Sequence, residues 1–416
     1  MTTETAPSPQ TGVAEDVKPV RTGFGAGAVW ANLRDYGLML ALIAIMIFFQ
    51  FTTNGVLFKP VNLTNLVLQN SYIIIMALGM LLVIVAGHID LSVGSVSGFI
   101  GALAAQMIVT WHLGLFSNWF VVILVCLIVG GIIGAAQGYW IAYHKIPSFI
   151  VTLAGMLIFK GLSLAVLGGA SIGPFPPEFQ ALSAGYITDF VGPWTIGGVK
   201  LHATTLLIGI LGIVAIAYFG AQARRSRERH GYEAEPFALF VVRTLIIAAL
   251  TLFLVYSLAT YKGLPNVLVV MAVLIGIFVF VTKKTTIGRR VYAMGGNAKA
   301  AALSGIKTER LTLIVFTNMG VLAALAGLIF AARLNNATPK AGQGFELDVI
   351  AAVFIGGASA TGGVGQVAGS VVGGFIMGVM NNGMSIMGIN IDWQQMIKGA
   401  VLLAAVVFDV YNKNKG

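Results

Sequence analysis

The chain is 416 residues long, 57% hydrophobic and only 10% charged, with a mean hydropathy of +0.90, whereas an average soluble domain carries about 25% charged residues. A water-soluble fold of this composition could not cover its own surface, and the apolar runs approach the roughly 20 residues that cross ~30 Å of hydrocarbon. The cations behind the net charge of +10 sit in loops between those runs, so no nucleic-acid partner is expected.

Residues 1–35 form a polar tail without a short apolar core and small-residue cleavage site, so the first span itself must direct insertion. A membrane domain follows over 36–411, and residues 412–416 close the chain as a second tail. Within the domain twelve candidate spans read 36–51, 66–87, 93–110, 119–143, 149–168, 203–220, 237–257, 266–282, 311–332, 347–365, 367–388 and 394–411. The first is short. The spans after Asp90 and after Glu346 are interrupted by glycines and are expected to be bent or re-entrant. The fold class is an all-α polytopic membrane protein of about ten to twelve transmembrane helices.

Between the second and third spans, GHIDLSVGS (87–95) sets Asp90 and Ser92 against the start of a helix. A carboxylate there can accept from free first-turn amides. Contact with a polar substrate is the alternative, and a proton relay is disfavoured because no second acid lies at helical spacing from Asp90. In the fourth span Cys126, the chain's one cysteine, reads as apolar filler. Small residues recur every four positions at Gly130, Gly134 and Gly138, then at Gly369 and Gly373 and at Gly374 and Gly378, which lets helices approach closely in lipid.

Lys160 and Lys398 occur in FKG and IKG within apolar runs of the two halves, which hints at a two-fold internal repeat; each stem is expected to snorkel toward headgroups, as is Arg243. The 169–202 loop, with Pro174, Pro176, Pro177 and Pro193 and an amphipathic run from Glu178 to Phe190, reads as an ordered cap. The 283–310 connection carries a short helix from Ala298 to Leu303, preceded by the turn formers Gly295, Gly296 and Asn297 and closed by Gly305. The run GGASATGGVGQ (356–366) lacks the Gly-Lys-Ser/Thr ending of a phosphate loop and instead suits a broken helix. His88, His112, His144, His202 and His230 are dispersed, so no metal or other cofactor is implied, and no catalytic motif appears.

Alternating the loops from an inside N-terminus gathers Lys18, Arg21, Arg34, Lys145, the run Arg224 to Arg229, the stretch Lys283 to Arg310, Lys413 and Lys415 on one side. That side holds 17 of the 25 Lys and Arg residues, against 5 in the opposite loops. The asymmetry predicts a bacterial inner-membrane protein with both termini and the 221–236 loop cytoplasmic and the 169–202 loop outside.

GHIDLSVGS, GRRVYAMGGNAKAAALSGI, IAAVFIGGASATGGVGQVAGSVVGG and NNGMSIMGINIDWQQMIKGAVLL together resemble the permease family of ABC monosaccharide importers, in the same order and over about residues 60–410. The additional ARRSRERHGYEAEPFALFVVR segment, with two more spans than ribose-type permeases usually have, is similar to the xylose or multiple-sugar branch. The resemblance implies a dimer of permeases, gripping ATP-binding subunits and receiving a monosaccharide such as xylose, arabinose or galactose from an extracytoplasmic sugar-binding protein. It implies that Gly295, Gly296, Asn297, Ala301, Leu303 and Gly305 contact the ATPase. Asp90, Ser92, Lys160, Asn381, Asn382 and Gln394 stand as candidate translocation-path or structural residues. The rival class is an ion-coupled secondary transporter, which would ordinarily pair intramembrane acids and bases; a channel or intramembrane enzyme lacks any filter-like or catalytic constellation.

Overall fold

A computed structural model describes residues 26–111, 118–196, 198–231 and 236–413. Lys18 and Arg21 of the predicted tail, His112, positions 232–235 of the basic loop and Lys415 lie outside the described residues. In chain order the helices are α1 (Ala26–Thr52), α2 (Pro60–Val85), α3 (Val93–Ala105, extended as a π-helix over Gln106–Trp111), α4 (Trp119–Tyr143), α5 (Ser148–Leu167) and the single turn α6 (Pro177–Gln180). A hairpin of β1 (Pro193–Ile196) and β2 (Val199–His202) precedes α7 (Ala203–Arg229), α8 (Phe237–Ala259) and α9 (Asn266–Lys284). The last part comprises α10 (Thr286–Gly296), α11 (Ala298–Leu303), α12 (Thr308–Leu334), α13 (Phe345–Ile355), α14 (Val367–Ile386) and α15 (Ile391–Lys413). Ten of these helices are long and apolar enough to cross a membrane, and Gly37–Thr52 adds a shorter apolar stretch.

Local chemistry sets the ends of these elements. Pro60 opens α2, where a missing N–H costs nothing, and Asn118 caps α4 by accepting from the Phe120 amide at 2.9 Å. α5 stops at Gly168, which takes the left-handed conformation at φ +59°. The core is the least lipid-like part of the bundle: α2 is buried along almost its whole length, between α12, α13 and α14.

The spaced glycines are helix contacts, as expected. A Cβ on Gly130 or Gly134 would strike the backbone of α12 at Gly320 or Phe316; one on Gly373 would strike the Ala352 carbonyl, and one on Gly378 the Asn70 side chain. These contacts define an inverted repeat. α2 runs antiparallel to α12, with Gly79 against Met319 and Leu322 and Tyr72 against Phe330. α12 packs on α3 and α4 as α2 packs on α13 and α14, and α5 and α15 complete the halves beside α3 and α13. The FKG and IKG lysines therefore fall on equivalent helices.

Of the two spans expected to be bent or re-entrant, the one after Glu346 is broken as expected and the one after Asp90 is not. The stretch 347–365 holds only α13, whose 11 residues extend about 16 Å, half a bilayer; from Gly356 to Gln366 the chain is a loop in which Gly357, Gly362 and Gly363 have positive φ. No residue of this loop is charged, which is why a span can be drawn through it in the sequence. The third span is not broken by its glycines, since Gly94, Gly98 and Gly101 lie inside α3 and pack it closely; the non-helical part is Gly87 to Ser92 before it.

One end of the bundle collects the C-terminus of α2, the end of α10 and the 356–366 loop, where the Gly363 amide donates to the Val85 carbonyl at 2.9 Å and the Tyr292 hydroxyl to the Gly365 carbonyl at 2.7 Å. The other end is covered by the 168–202 segment. Ile172 pairs with Ala337, the Phe175 amide donates to Asn335 Oδ1 at 2.8 Å, and Asn266 Nδ2 donates to the Ala181 carbonyl at 2.7 Å. The cap is ordered, but the run from Glu178 to Phe190 is one helical turn followed by turns, because Phe179 is fully buried as an anchor and Gly185 sits tightly against Ala181.

Candidate functional site

α3 and the half-length α13 begin inside the bundle, where their openings meet. Gly94 of α3 and Gly342, just before α13, lie so close that a Cβ on either would collide with the other's carbonyl oxygen, and the Glu346 carboxylate lies against Gly94. Tyr72 stacks on Phe345 with ring centroids 4.0 Å apart, and Phe330 meets both edge-on. Three helices thus deliver an aromatic platform to the opening of α13.

One turn into α13, Asp348 is 3% exposed. Lys398 Nζ of α15 lies 3.0 Å from its Oδ1 and 3.1 Å from its Oδ2, while Asn381 Nδ2 of α14 donates to Oδ2 at 3.2 Å. Lys398 is therefore held in an internal ion pair rather than snorkelling to a headgroup, because an acid across the helix interface is nearer than the interface with water. Asp348 is the candidate site residue that sequence reasoning missed. Its signal was an acid within the apolar run LDVIAAVF, but its partners are 33 and 50 residues away.

The remaining candidates divide. Ser92 donates its hydroxyl to Asp90 Oδ1 at 2.7 Å and its amide to the same oxygen at 2.8 Å, and accepts from Gln137 Nε2 of α4 at 3.0 Å. Ser92 itself is the N-cap position of α3 and no side chain caps the helix, so Asp90 acts one step earlier than expected, fixing the turn that aims α3. Lys160, exposed on α5, is an electrostatic neighbour of Glu346. Asn382 faces away from its neighbour Asn381 and exchanges hydrogen bonds with Asn62 of α2 at 2.9 and 3.2 Å. Gln394 donates to the Ile389 carbonyl at 2.8 Å and closes the turn between α14 and α15. Asp348, Lys398 and Asn381 form one polar group, with Glu346 two residues before Asp348 against Gly94, whereas Asp90 with Ser92, Asn382 and Gln394 hold helices elsewhere.

At the opposite functional locus, α11 spans Ala298–Leu303, the expected boundaries, with Asn297 Oδ1 accepting from the Ala300 amide at 3.0 Å and Gly305 left-handed at φ +83°. Gly295 and Gly296 are the last turn of α10 rather than a preceding turn. Gly295 is required there because a Cβ would collide with the Val85 carbonyl. Ala301 faces inward at 5% exposure, while Leu303 is 91% exposed.

The arrangement provides hydrogen-bonding and aromatic groups for a polar solute but no nucleophile with a positioned base, and among the described residues no three His, Cys, Asp or Glu converge on a metal position. The family model described as the branched-chain amino acid transport system permease component matches residues 62–406. The chain is 40% identical to the xylose transport system permease protein of Haemophilus influenzae over 92% of its own length and 98% of that protein's. It is 39% identical to the Escherichia coli protein of the same name, covering 95% and 96% of the two chains. With the Escherichia coli ribose import permease protein the identity is 32%, over 89% and 91%. No solved structure matches the chain. A match over this much of the sequence, on a bundle of ten apolar spans built as an inverted repeat, means that the chain belongs to the same permease family as these transport subunits.

Proposed function

We propose that this chain forms the membrane path of an importer that takes up a monosaccharide, xylose first among the candidates. An extracytoplasmic binding protein delivers the sugar, a separate ATP-binding subunit supplies the energy, and two permease copies work together. The observation that carries the reading is the 40% identity with a xylose permease over 92% of this chain and 98% of that protein. The test is reconstitution with the cognate ATPase and binding protein in liposomes. Xylose-loaded binding protein should stimulate ATP hydrolysis and uptake; uptake that persists without ATP and collapses with the proton gradient would assign the chain to ion-coupled transport instead.

The basic end, carrying Arg224 to Arg229 and Lys283 to Arg310, is the cytoplasmic face in this reading. Both termini lie there, and the 168–202 cap faces the binding protein. Cys126 is fully buried, so introduced cysteines report topology against a silent background. A cysteine at exposed Ser226 should resist an impermeant maleimide in intact cells, while one at Phe190, 80% exposed, should react; Ser183 is fully buried and would report nothing. The reverse pattern inverts the topology.

The α11 helix is the ATPase contact, with Leu303 as the docking side chain and Gly295, Gly296, Asn297, Ala301 and Gly305 fixing its direction. The glutamate-and-aspartate opening of α13 is the polar waist through which a hydroxylated solute passes between the halves.

A further inference from the structure

At the basic end an open cavity of about 490 Å³ lies between the last turns of α7 and α9, the first turn of α10 and the start of α14. Arg227, Lys283 and Arg289 line it, together with Tyr292, Gln366 and Val367. No acidic side chain among the described residues lines the cavity, and none of the three cations forms an ion pair with a described residue. The nearby acid Glu228 is taken by Arg224 at 2.6 Å, and Asp409 accepts from Ser359 and Ala360 in the 356–366 loop.

Three like charges facing one space repel unless an anion sits among them. α14 adds to the same potential. Its 20 residues open at Val367, Gln366 offers no side-chain cap, and the first-turn amides have no acceptor within the helix. An apolar stripe leads away from the cations along α9 through Val273, Ile277 and Phe280, which are 56, 48 and 60% exposed, and ends one turn before Lys283. A phosphate among the cations with acyl chains along that stripe would satisfy both surfaces, which a soluble anion would not.

We propose that this cavity binds the phosphate of an anionic glycerophospholipid headgroup, its acyl chains lying on the exposed face of α9. The purified permease, delipidated in detergent, should be titrated with dioleoyl-phosphatidylglycerol and with dioleoyl-phosphatidylcholine, and retained lipid counted by native mass spectrometry. Phosphatidylglycerol should be retained at least about tenfold more tightly. Each neutralised cation should weaken it by about fivefold, so Arg227→Gln/Lys283→Gln/Arg289→Gln should lose on the order of 100-fold. Lys200→Gln/Lys262→Gln, which removes two cations from the cap end, should change nothing. The single variant Arg289→Gln, with its smaller expected loss, serves if the triple variant elutes as aggregate. Millimolar inorganic phosphate should neither displace the lipid nor raise the melting temperature; displacement by phosphate alone would overturn the lipid source in favour of a soluble phosphate. Equal retention of the two lipids, or unchanged phosphatidylglycerol retention by a natively eluting variant, would overturn the site.

Discussion

The Asp348–Lys398 pair joins α13 to α15, and replacing Lys398 with Met removes the cation while keeping a stem of similar length. Asp348, almost fully buried, is then left with only the Asn381 hydrogen bond. At 3.0 Å and an effective dielectric of about 20, the lost Coulomb attraction is about 5 kcal/mol. Relief from desolvating Lys398, whose side chain is 20% exposed, offsets part of it. The net cost expected for breaking such a pair from one side is about 3 kcal/mol, the low end of the range for buried pairs. Removing both charges, as in Asp348→Asn/Lys398→Met, should restore most of that stability, because neither group is then a lone buried ion. The assay is a double-mutant cycle on unfolding in detergent, run beside ATP-driven uptake in liposomes. The structural account expects Lys398→Met to unfold well before the double variant. A Lys398→Met protein as stable as wild type would refute the electrostatic reasoning. A double variant that folds normally but loses uptake only when a proton gradient is the driving force would revive ion coupling, for which this acid–base pair is the one suitable device near α13.

Leu303→Asp places a charge on the 91% exposed tip of α11 and should leave folding within about 0.5 kcal/mol while weakening ATPase co-purification at least tenfold; unchanged recovery would remove α11 from the interface. Ala301→Trp is a different experiment, because Ala301 is buried within this chain, and it should lower the yield of folded permease with or without the ATPase present. Gly94→Val and Gly342→Val should each separate α3 from α13 and cost several times more stability than Gly296→Ala, which meets nothing within 4 Å; thermal unfolding in detergent ranks them. In the cap, hydrogen bonds from the Thr204 hydroxyl (2.6 Å) and amide (3.0 Å) hold the Asp189 carboxyl below the usual carboxylate range. A depressed carboxylate stabilises the fold above its unfolded pKa and loses that contribution as pH falls through the folded value, so hydrogen exchange of residues 186–202 should quicken below about pH 4, and Asp189→Asn should remove most of that pH response.

Local rules were legible in the sequence where a few adjacent residues decide the outcome. Asn297 with the alanines after it and Gly305 defines both ends of α11, since cap, propensity and left-handed stop all lie within nine positions. The glycine spacing on α4 and α14 is likewise legible because close approach in lipid depends on one helix face. The break in the span after Glu346 was legible too, because the glycines of 356–366 suit a broken helix, whereas the same reading failed for α3, whose glycines lie inside the helix and pack it. The hairpin Pro193–His202 carried a short signal, the glycine pair at 197 and 198 between β-branched residues, within a chain whose composition argues for helices. Asp348 escaped notice for a different reason: an acid in an apolar run is informative only once its partner is known, and Lys398 is brought to it by the packing of α15 on α13.

The inverted repeat explains why the two lysines of FKG and IKG have different surroundings. α3 and α13 both start inside the bundle with their N-termini close together, so the partial positive ends of two helices face one region. α13 answers this with Glu346 and Asp348 in its own first turn, whereas the first turn of α3 has no acid and borrows the carboxylate of Glu346 lying against Gly94. The acids are thus concentrated on one half, and Lys398 pairs directly with Asp348, while Lys160, on the equivalent helix of the other half, is exposed. Strict symmetry would have placed an acid on each of the two helices. Concentrating both on α13 makes that short helix the element tied electrostatically to both halves, so any motion of one half against the other must carry or break its contacts, and α13 is where such a motion would be felt first.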